Sequence, residues 1–392
     1  MNYSEEDRLT TWNLVEARKY ILHDVFLVLY FILGLVGNLI VLVVYKLRLK
    51  QSEGKYFIPI LAFVDMFVCI LKAPLNLWTN LLPVKFTYII SCQIMMFLFN
   101  MFGFSSILLL AVITLQRYLK VCRPFGPQLA LKTRRISLLV IFVLSLTVSA
   151  PFIIIREQLH IPNIELNVTG YMCGINIMKV NQNAYRTFIF YRSFIIVGVM
   201  LELIILNLLI GRQMIIASKM FTIVNNVLRM RTTNEQMSAS RNSLDTSFTN
   251  IHSVSMSLAE TDLEKTSNGT NNENRSTNCD VTERRTNTSI PEERISAAKR
   301  FSLMIIVINV VFILCYIPQL ALLLSVFFNR NFWIKRTEDE LIIITFIEQM
   351  MIINNIVNPF VYGMFDRKFR AEAKTSMCTC CKYKKKLIFS IV

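Results

Sequence analysis

An all-α membrane protein, built as a seven-transmembrane helix bundle with a short amphipathic eighth helix, is the fold that three observations on these 392 residues predict. Hydrophobic residues make up 54% of the chain and charged residues only 17%, a balance that belongs to membrane chains rather than to a string of soluble domains. Seven windows are long and apolar enough to cross ~30 Å of hydrocarbon as helices, near 24–46, 57–79, 89–116, 136–155, 187–211, 301–328 and 341–364. Lysines and arginines crowd alternate connections, which orients the whole bundle.

Taken in order, residues 1–23 are acidic and polar, as expected of an extracellular amino terminus. No basic segment followed by an apolar core is found there, so a cleaved signal peptide is not expected and span one is the anchor. The bundle then occupies 24–364. Lys46, Arg48, Lys50 and Lys55 follow span one, and Lys120, Arg123, Lys132, Arg134 and Arg135 follow span three. More basic residues fill the connection after span five and the tail. This places the amino terminus outside and the carboxyl terminus inside, in a multi-pass plasma-membrane protein. The net charge of +16 is then accounted for by an anionic inner leaflet and calls for no nucleic acid. From about 214 to 298 the chain is rich in Ser, Thr, Asn, Arg and Glu, with almost no aromatic residue after Phe248, the composition of a disordered third cytoplasmic loop. Residues 365–392 read as an amphipathic helix and a cytoplasmic tail.

Of the nine cysteines, Cys92 at the outer end of span three and Cys173 between spans four and five lie on the oxidising side. They are the expected disulfide, the alternative being two free outer thiols. Cys378, Cys380 and Cys381 lie in the tail beside Lys382, Lys384, Lys385 and Lys386. With no histidine near, palmitoylation suits them better than a metal, because an acyl chain next to a polybasic patch is a two-signal membrane anchor. Asn2 and Asn167 open sequons on the outer side and are the candidate glycosylation sites.

An ionisable side chain at membrane depth costs at least ~2.5–3.5 kcal/mol on insertion scales and is usually functional. Asp65, inside span two in Leu61-Ala62-Phe63-Val64-Asp65, is the foremost case, with Asn38 of span one as an expected hydrogen-bonding neighbour. At the inner end of span seven, Asn358-Pro359 with Tyr362 reads as a deliberate kink. The proline frees a backbone carbonyl, for which the adjacent Asn358 amide is an expected donor.

Gly37-Asn38, Leu61-Ala62 with Asp65, Arg117-Tyr118, Phe312 with Cys315 and Pro318, and Asn358-Pro359 with Tyr362 occur in the order and spacing of the rhodopsin-like (class A) G-protein-coupled receptors. The resemblance touches every span, and it implies a receptor that binds an extracellular ligand and activates heterotrimeric G proteins, with arrestin and receptor kinases as further partners. It implies the Cys92–Cys173 bridge as well. It also implies a sodium ion held by Asp65, Ser106, Asn354 and Asn355, an all-oxygen set that suits a hard cation; the alternative is a hydrogen-bonded network with water and no ion. No other cofactor is implied.

Several positions depart from the family pattern. Gln116 precedes Arg117 where an acid is usual, and the acid many members carry near the inner end of span six is missing from Ser296-Ala297-Ala298-Lys299-Arg300. An amide cannot neutralise a guanidinium, so Arg117 should be less restrained and basal activity raised. Tyr316 stands where tryptophan is usual, Val199 near an expected proline and Asn207 near an expected tyrosine. In the mechanism the resemblance implies, ligand above the Tyr316 ring favours a bundle whose span six, with Phe312 in its switch motif, has swung outward about Pro318. The cavity beside Arg117 and Tyr118 then admits the carboxyl-terminal helix of a Gα subunit.

The ligand class rests on the outer polar residues. Amine receptors place an aspartate at what is Phe99 here, and visual pigments a lysine at Ile352. Gln93, Phe99, Asn100, Arg192, Tyr316, Gln319, Glu348 and Gln349, with Lys72 nearby, offer both signs of charge and several amides. That mixture suits a neuropeptide whose amine or arginine meets Glu348. The alternative is a small molecule or odorant bound to the same fold. A transporter is the remote alternative, since intramembrane charges also mark ion paths, but no internal repeat is seen. An enzyme is not expected: His23, His160 and His252 lie far apart in outer or loop segments, and no nucleophile motif or phosphate-cradling glycine loop occurs.

Overall fold

A computed structural model describes residues 4–49, 55–176, 179, 181–257, 289–329, 332 and 336–375. Helix α1 (Glu5–Arg18) starts at Ser4, whose hydroxyl and the Asp7 carboxylate cap each other's backbone, with Glu5, Glu6 and Asp7 in the first turn where a helix N-terminus favours acids. The seven predicted spans are all present. They are α2 (Ile21–Val43, continued by a π-helical turn, Val44–Arg48), α3 (Ile58–Leu81), α4 (Ile89–Cys122), α5 (Leu131–Ser149) with the short α6 (Pro151–Ile155), α7 (Gln182–Ser257), α8 (Ser289–Phe328) and α9 (Glu338–Phe365). Pro151 separates α5 from α6 because it carries no N–H to continue the ladder. A short helix, α10, covers 367–375. Asp366 caps it, accepting the backbone N–H groups of Lys368 and Phe369, and Phe369 and Ala373 are buried while Lys368, Arg370 and Lys374 are exposed. This is the expected amphipathic eighth helix.

Two boundaries differ from the sequence reading. Span one begins at Ile21, so His23 is a buried residue of α2 whose Nδ1 lies 2.7 Å from the Asn80 amide. The segment expected to be a disordered loop continues α7 as helix to Ser257. Between Gly211 and Gly269 no glycine or proline interrupts the chain, so local sequence offers nothing to stop a helix once started. Gly211–Ser296 form a separate unit from the bundle.

Strands β1 (Arg156–Asn163) and β2 (Val168–Ile175) form an antiparallel hairpin, with Asn167 exposed at its turn in the left-handed region (φ 48°). A disulfide joins Cys173 of β2 to Cys92 of α4. Tyr171 exchanges backbone hydrogen bonds with Val84 and Phe86, and Asn13 of α1 donates to the Leu81 carbonyl at 2.9 Å. The amino-terminal helix, the hairpin and the α3–α4 connection therefore close one end of the bundle, the disulfide end.

Apolar residues such as Val25, Leu29, Ile32 and Val36 of α2 and Leu139, Phe142 and Val143 of α5 stay exposed, while Asn38, Asp65, Asn309 and Asn358 are buried. Such belts on helices long enough to span make the chain a multi-pass membrane protein whose lipid-facing side is apolar. At Gly34 an added Cβ would lie 2.3 Å from Cys69 Sγ, so the α2–α3 approach depends on the missing side chain, as small residues commonly permit in membranes.

Candidate functional site

The polar residues of the spans meet in the middle of the bundle. Asp65 is fully buried in α3, and both its oxygens accept hydrogen bonds, Oδ1 from Ser106 of α4 at 2.6 Å and Oδ2 from Asn358 of α9 at 2.7 Å. Asn355 Oδ1 lies 3.4 Å from the Ser106 hydroxyl. Three helices thus share one carboxylate.

The kink in α9 is satisfied differently from the expectation. Pro359 removes the N–H that would reach the carbonyl four residues back, at Asn355, and that carbonyl accepts from the Asn38 amide of α2 at 3.0 Å. Asn358 turns instead to Asp65, and Asn38 makes no hydrogen bond to Asp65 among the described residues. The physical reason is tertiary: Gly37 lets α2 come close, an added Cβ there lying 3.0 Å from Pro359 Cγ, which brings Asn38 within reach of the freed carbonyl.

Toward the disulfide end lies a narrow cavity lined by Phe99, Asn100, Phe104, Arg192, Tyr316 and Met351, with Asn355 at its polar floor. Its free space, about 20 Å³, is on the order of a single water. Phe99, Asn100, Arg192 and Tyr316 of the predicted ligand set line it; Gln93, Gln319, Glu348 and Gln349 do not. Gln93 donates to the Arg156 carbonyl at 2.8 Å and so positions the start of β1. Gln319 and Gln349 are buried, and Glu348 is half-buried on α9. Tyr316, which lines the cavity, stacks on Phe312 with ring centres 4.4 Å apart.

At the opposite end Arg117 has an unforeseen partner. Its Nε donates to Ser302 Oγ of α8 at 2.7 Å, and its guanidinium lies 4.9 Å from the centre of the Phe301 ring. A hydroxyl and a ring face therefore restrain the arginine where the sequence offered no acid. Gln116 is buried beside it, and Tyr118 is half-buried. A second unforeseen junction links α4, α7 and α8: the Asn309 amide donates to Thr114 Oγ1 and to Asn207 Oδ1, each at 2.9 Å. Asn207, near the position of an expected tyrosine, thus joins α7 to α8 by accepting from Asn309 through its amide oxygen.

Asp366, at the start of α10, accepts from Tyr45 Oη of the π-helical turn at 2.7 Å and pairs with Lys55. Burial alone would raise its carboxyl, but the hydrogen bonds from Lys55 and Tyr45 outweigh it and hold the group below its ordinary value of 3.8. Because the folded value is the lower one, this stabilisation is present above the unfolded value and is lost as pH falls through the folded value. We expect Asp366→Asn to cost about 1–3 kcal/mol near neutral pH. The deficit should disappear in the acid range, and thermal unfolding of both proteins across pH checks it.

Asn167 is exposed, as a glycan acceptor must be. Asn2 and the cysteines Cys378, Cys380 and Cys381 lie outside the described residues.

Among the described residues, seven helices long enough to span, a disulfide at one end and a buried carboxylate at mid-bundle make up a seven-helix membrane protein. A family model described as 7 transmembrane receptor (rhodopsin family) matches residues 37–362, and the chain belongs to that family. The chain is 25% identical over 365 residues to the cholecystokinin receptor type A of Cavia porcellus, covering 90% of this chain and 79% of that receptor. It is 32% identical over 141 residues to the QRFP-like peptide receptor of Branchiostoma floridae, covering 35% of this chain and 37% of that receptor. Against the alpha-2Db adrenergic receptor of Danio rerio it is 22% identical, covering 88% and 87%.

Proposed function

We propose that the protein is a plasma-membrane receptor, with its amino terminus and disulfide end outside, that binds a neuropeptide and activates heterotrimeric G proteins at the Arg117 end. The carrying observation is the polar line that leads from the outer cavity to the kink in α9. The outer cavity ends on Asn355, Asn355 adjoins the Ser106 hydroxyl, Ser106 donates to Asp65, and Asn358 ties Asp65 to the kink in α9. A ligand that moves Tyr316, Arg192 or Phe99 therefore acts on a network shared by α3, α4 and α9. The latch of Arg117 on Ser302 is the element that must open for α8 to swing about Pro318 and admit a Gα subunit. Arrestin and receptor kinases would use the same face.

Two relatives whose names include a peptide support the ligand class, and Phe99 stands where amine receptors carry their aspartate. The oxygen donors around Asp65 fit sodium: Ser106 and Asn355 are in contact, and Asn354 Oδ1 is buried without a hydrogen-bond partner. Bound there, the ion would neutralise the carboxylate and favour the closed bundle. Glycans on Asn2 and Asn167 and palmitoyl groups on Cys378, Cys380 and Cys381 complete the reading.

The test is G-protein dissociation in cells expressing wild type or Arg117→Ala at matched surface levels, challenged with a neuropeptide library. A response in wild type that disappears in Arg117→Ala is the expected result. Silence toward every peptide, together with a response to a small molecule, would replace the peptide by the small-molecule alternative, and substrate flux without G-protein response would remove the receptor reading.

A further inference from the structure

We propose that the outer end of the bundle holds an anion subsite, in which Lys72, Arg192 and Arg156 receive a carboxylate of the ligand and Glu348 acts as their internal counter-charge until it arrives. This rests on the receptor reading above and names the chemistry its ligand must bring.

Three cations converge there from three elements. Lys72 of α3 is only 4% exposed, with its Nζ 4.6 Å from the centre of the Phe99 ring. Arg192 of α7 lies 5.3 Å from the Phe104 ring and 5.1 Å from the Phe152 ring, and its Nε is buried without an acceptor. Arg156 opens β1, where Gln93 holds its carbonyl and the Cys92–Cys173 disulfide anchors the hairpin, and its Nε is buried and unpaired too.

Ring faces attract a cation but cannot accept an N–H in the plane of a guanidinium, so these nitrogens still need an oxygen. Among the described residues none of the three forms an ion pair. The carboxylate that acts on all of them is Glu348; Lys72 also feels Arg156 and Arg192, and Arg192 feels Arg156. Three positive charges against one negative leave two over, in a region where uncompensated charge is costly. An arriving carboxylate relieves that imbalance, and the planar guanidinium of Arg192 suits two-point recognition of it. A ligand amine, by contrast, would have to enter a cationic site and compete with three cations for Glu348, which argues against the pairing expected from sequence.

The test starts without an identified ligand. Full-length receptor in lipid nanodiscs is unfolded thermally with potassium benzoate, potassium chloride or benzamide at equal ionic strength. Benzoate should raise the unfolding temperature of wild type where chloride and benzamide do not. Its half-effective concentration should rise roughly tenfold or more in Arg192→Gln and in Lys72→Met, two independent variants in case one fails to fold, and fall about tenfold in Glu348→Gln. Equal effects of benzoate and benzamide, or weaker benzoate binding in Glu348→Gln, would overturn the subsite.

Paired free-acid and amidated peptides in the G-protein assay form the second arm. Free acids should be at least about tenfold more potent, with the preference lost in Arg192→Gln. A preference that tracks Asp or Glu within the peptide rather than its terminus would assign the carboxylate to a side chain. Amides as potent as acids would sink the subsite and leave the receptor standing. Benzoate binding without any peptide response would keep the subsite and count against the peptide.

Discussion

Asp65→Ala should lower ligand-stimulated G-protein signalling at least tenfold at matched surface expression, with the effect arising from the network and not from misfolding. The carboxylate is the shared acceptor of Ser106 and Asn358, at 2.6 and 2.7 Å, and its removal orphans the buried Asn358 amide and leaves the Ser106 hydroxyl only the longer contact to Asn355 Oδ1 at 3.4 Å. An orphaned donor costs about 1–3 kcal/mol, and a loss near 1.4 kcal/mol already corresponds to a tenfold change in an equilibrium. Removing a buried charge offsets part of that cost, so receptor abundance should suffer less than coupling between α3 and α9. The discriminating measurement is the exchange Asp65→Asn with Asn358→Asp, which restores a carboxylate–amide pair across the same gap. The double variant should signal better than either single one; equal failure of all three would show that the pairing is not what transmits. Asp65→Ala should also abolish any dependence of basal signalling on sodium.

Ser302→Ala should raise basal signalling several-fold, and Ser302→Asp should depress it below wild type. A hydrogen bond to a charged group is worth about 1.5–3 kcal/mol, and Arg117 Nε makes one to Ser302 at 2.7 Å across the gap that α8 must open. Phe301, 4.9 Å from the guanidinium, retains part of the restraint in the alanine variant, which keeps the expected rise short of full activation. An aspartate would convert the hydroxyl contact into an ion pair. Constitutive G-protein dissociation without ligand measures both variants, and an alanine variant indistinguishable from wild type would mean that the latch does not hold the closed state. The sequence pointed to raised basal activity because two acids are missing. Ser302 narrows that expectation to a neutral latch, weaker than an ion pair but present.

What was readable in advance divides by the range of the physics involved. The seven spans were legible because apolar length is a property of contiguous residues and the bilayer sets a single threshold. Asp65 and Arg117 stood out because a charge in an apolar run is conspicuous wherever its partners lie. Cys92 and Cys173 were legible once the topology left them alone on one side. The start of α2 was not, since His23 read as the end of the polar tail until Asn80 is seen to reach it. Nor were Ser302, Asn309 or Asp366, whose residue types are ordinary and whose roles come from the helix opposite.

The sequence by itself determined the class of fold, the number of spans and the chemistry at mid-bundle, because hydrophobic length and buried charge act locally and strongly. Only the tertiary structure decided who pairs with whom. Asn38 rather than Asn358 satisfies the carbonyl freed by Pro359, Asn358 turns to Asp65, and a serine holds Arg117. Hydrogen bonds reach about 3 Å, and which groups come that close depends on how helices hundreds of residues apart pack, with Gly34 and Gly37 setting the approach of α2.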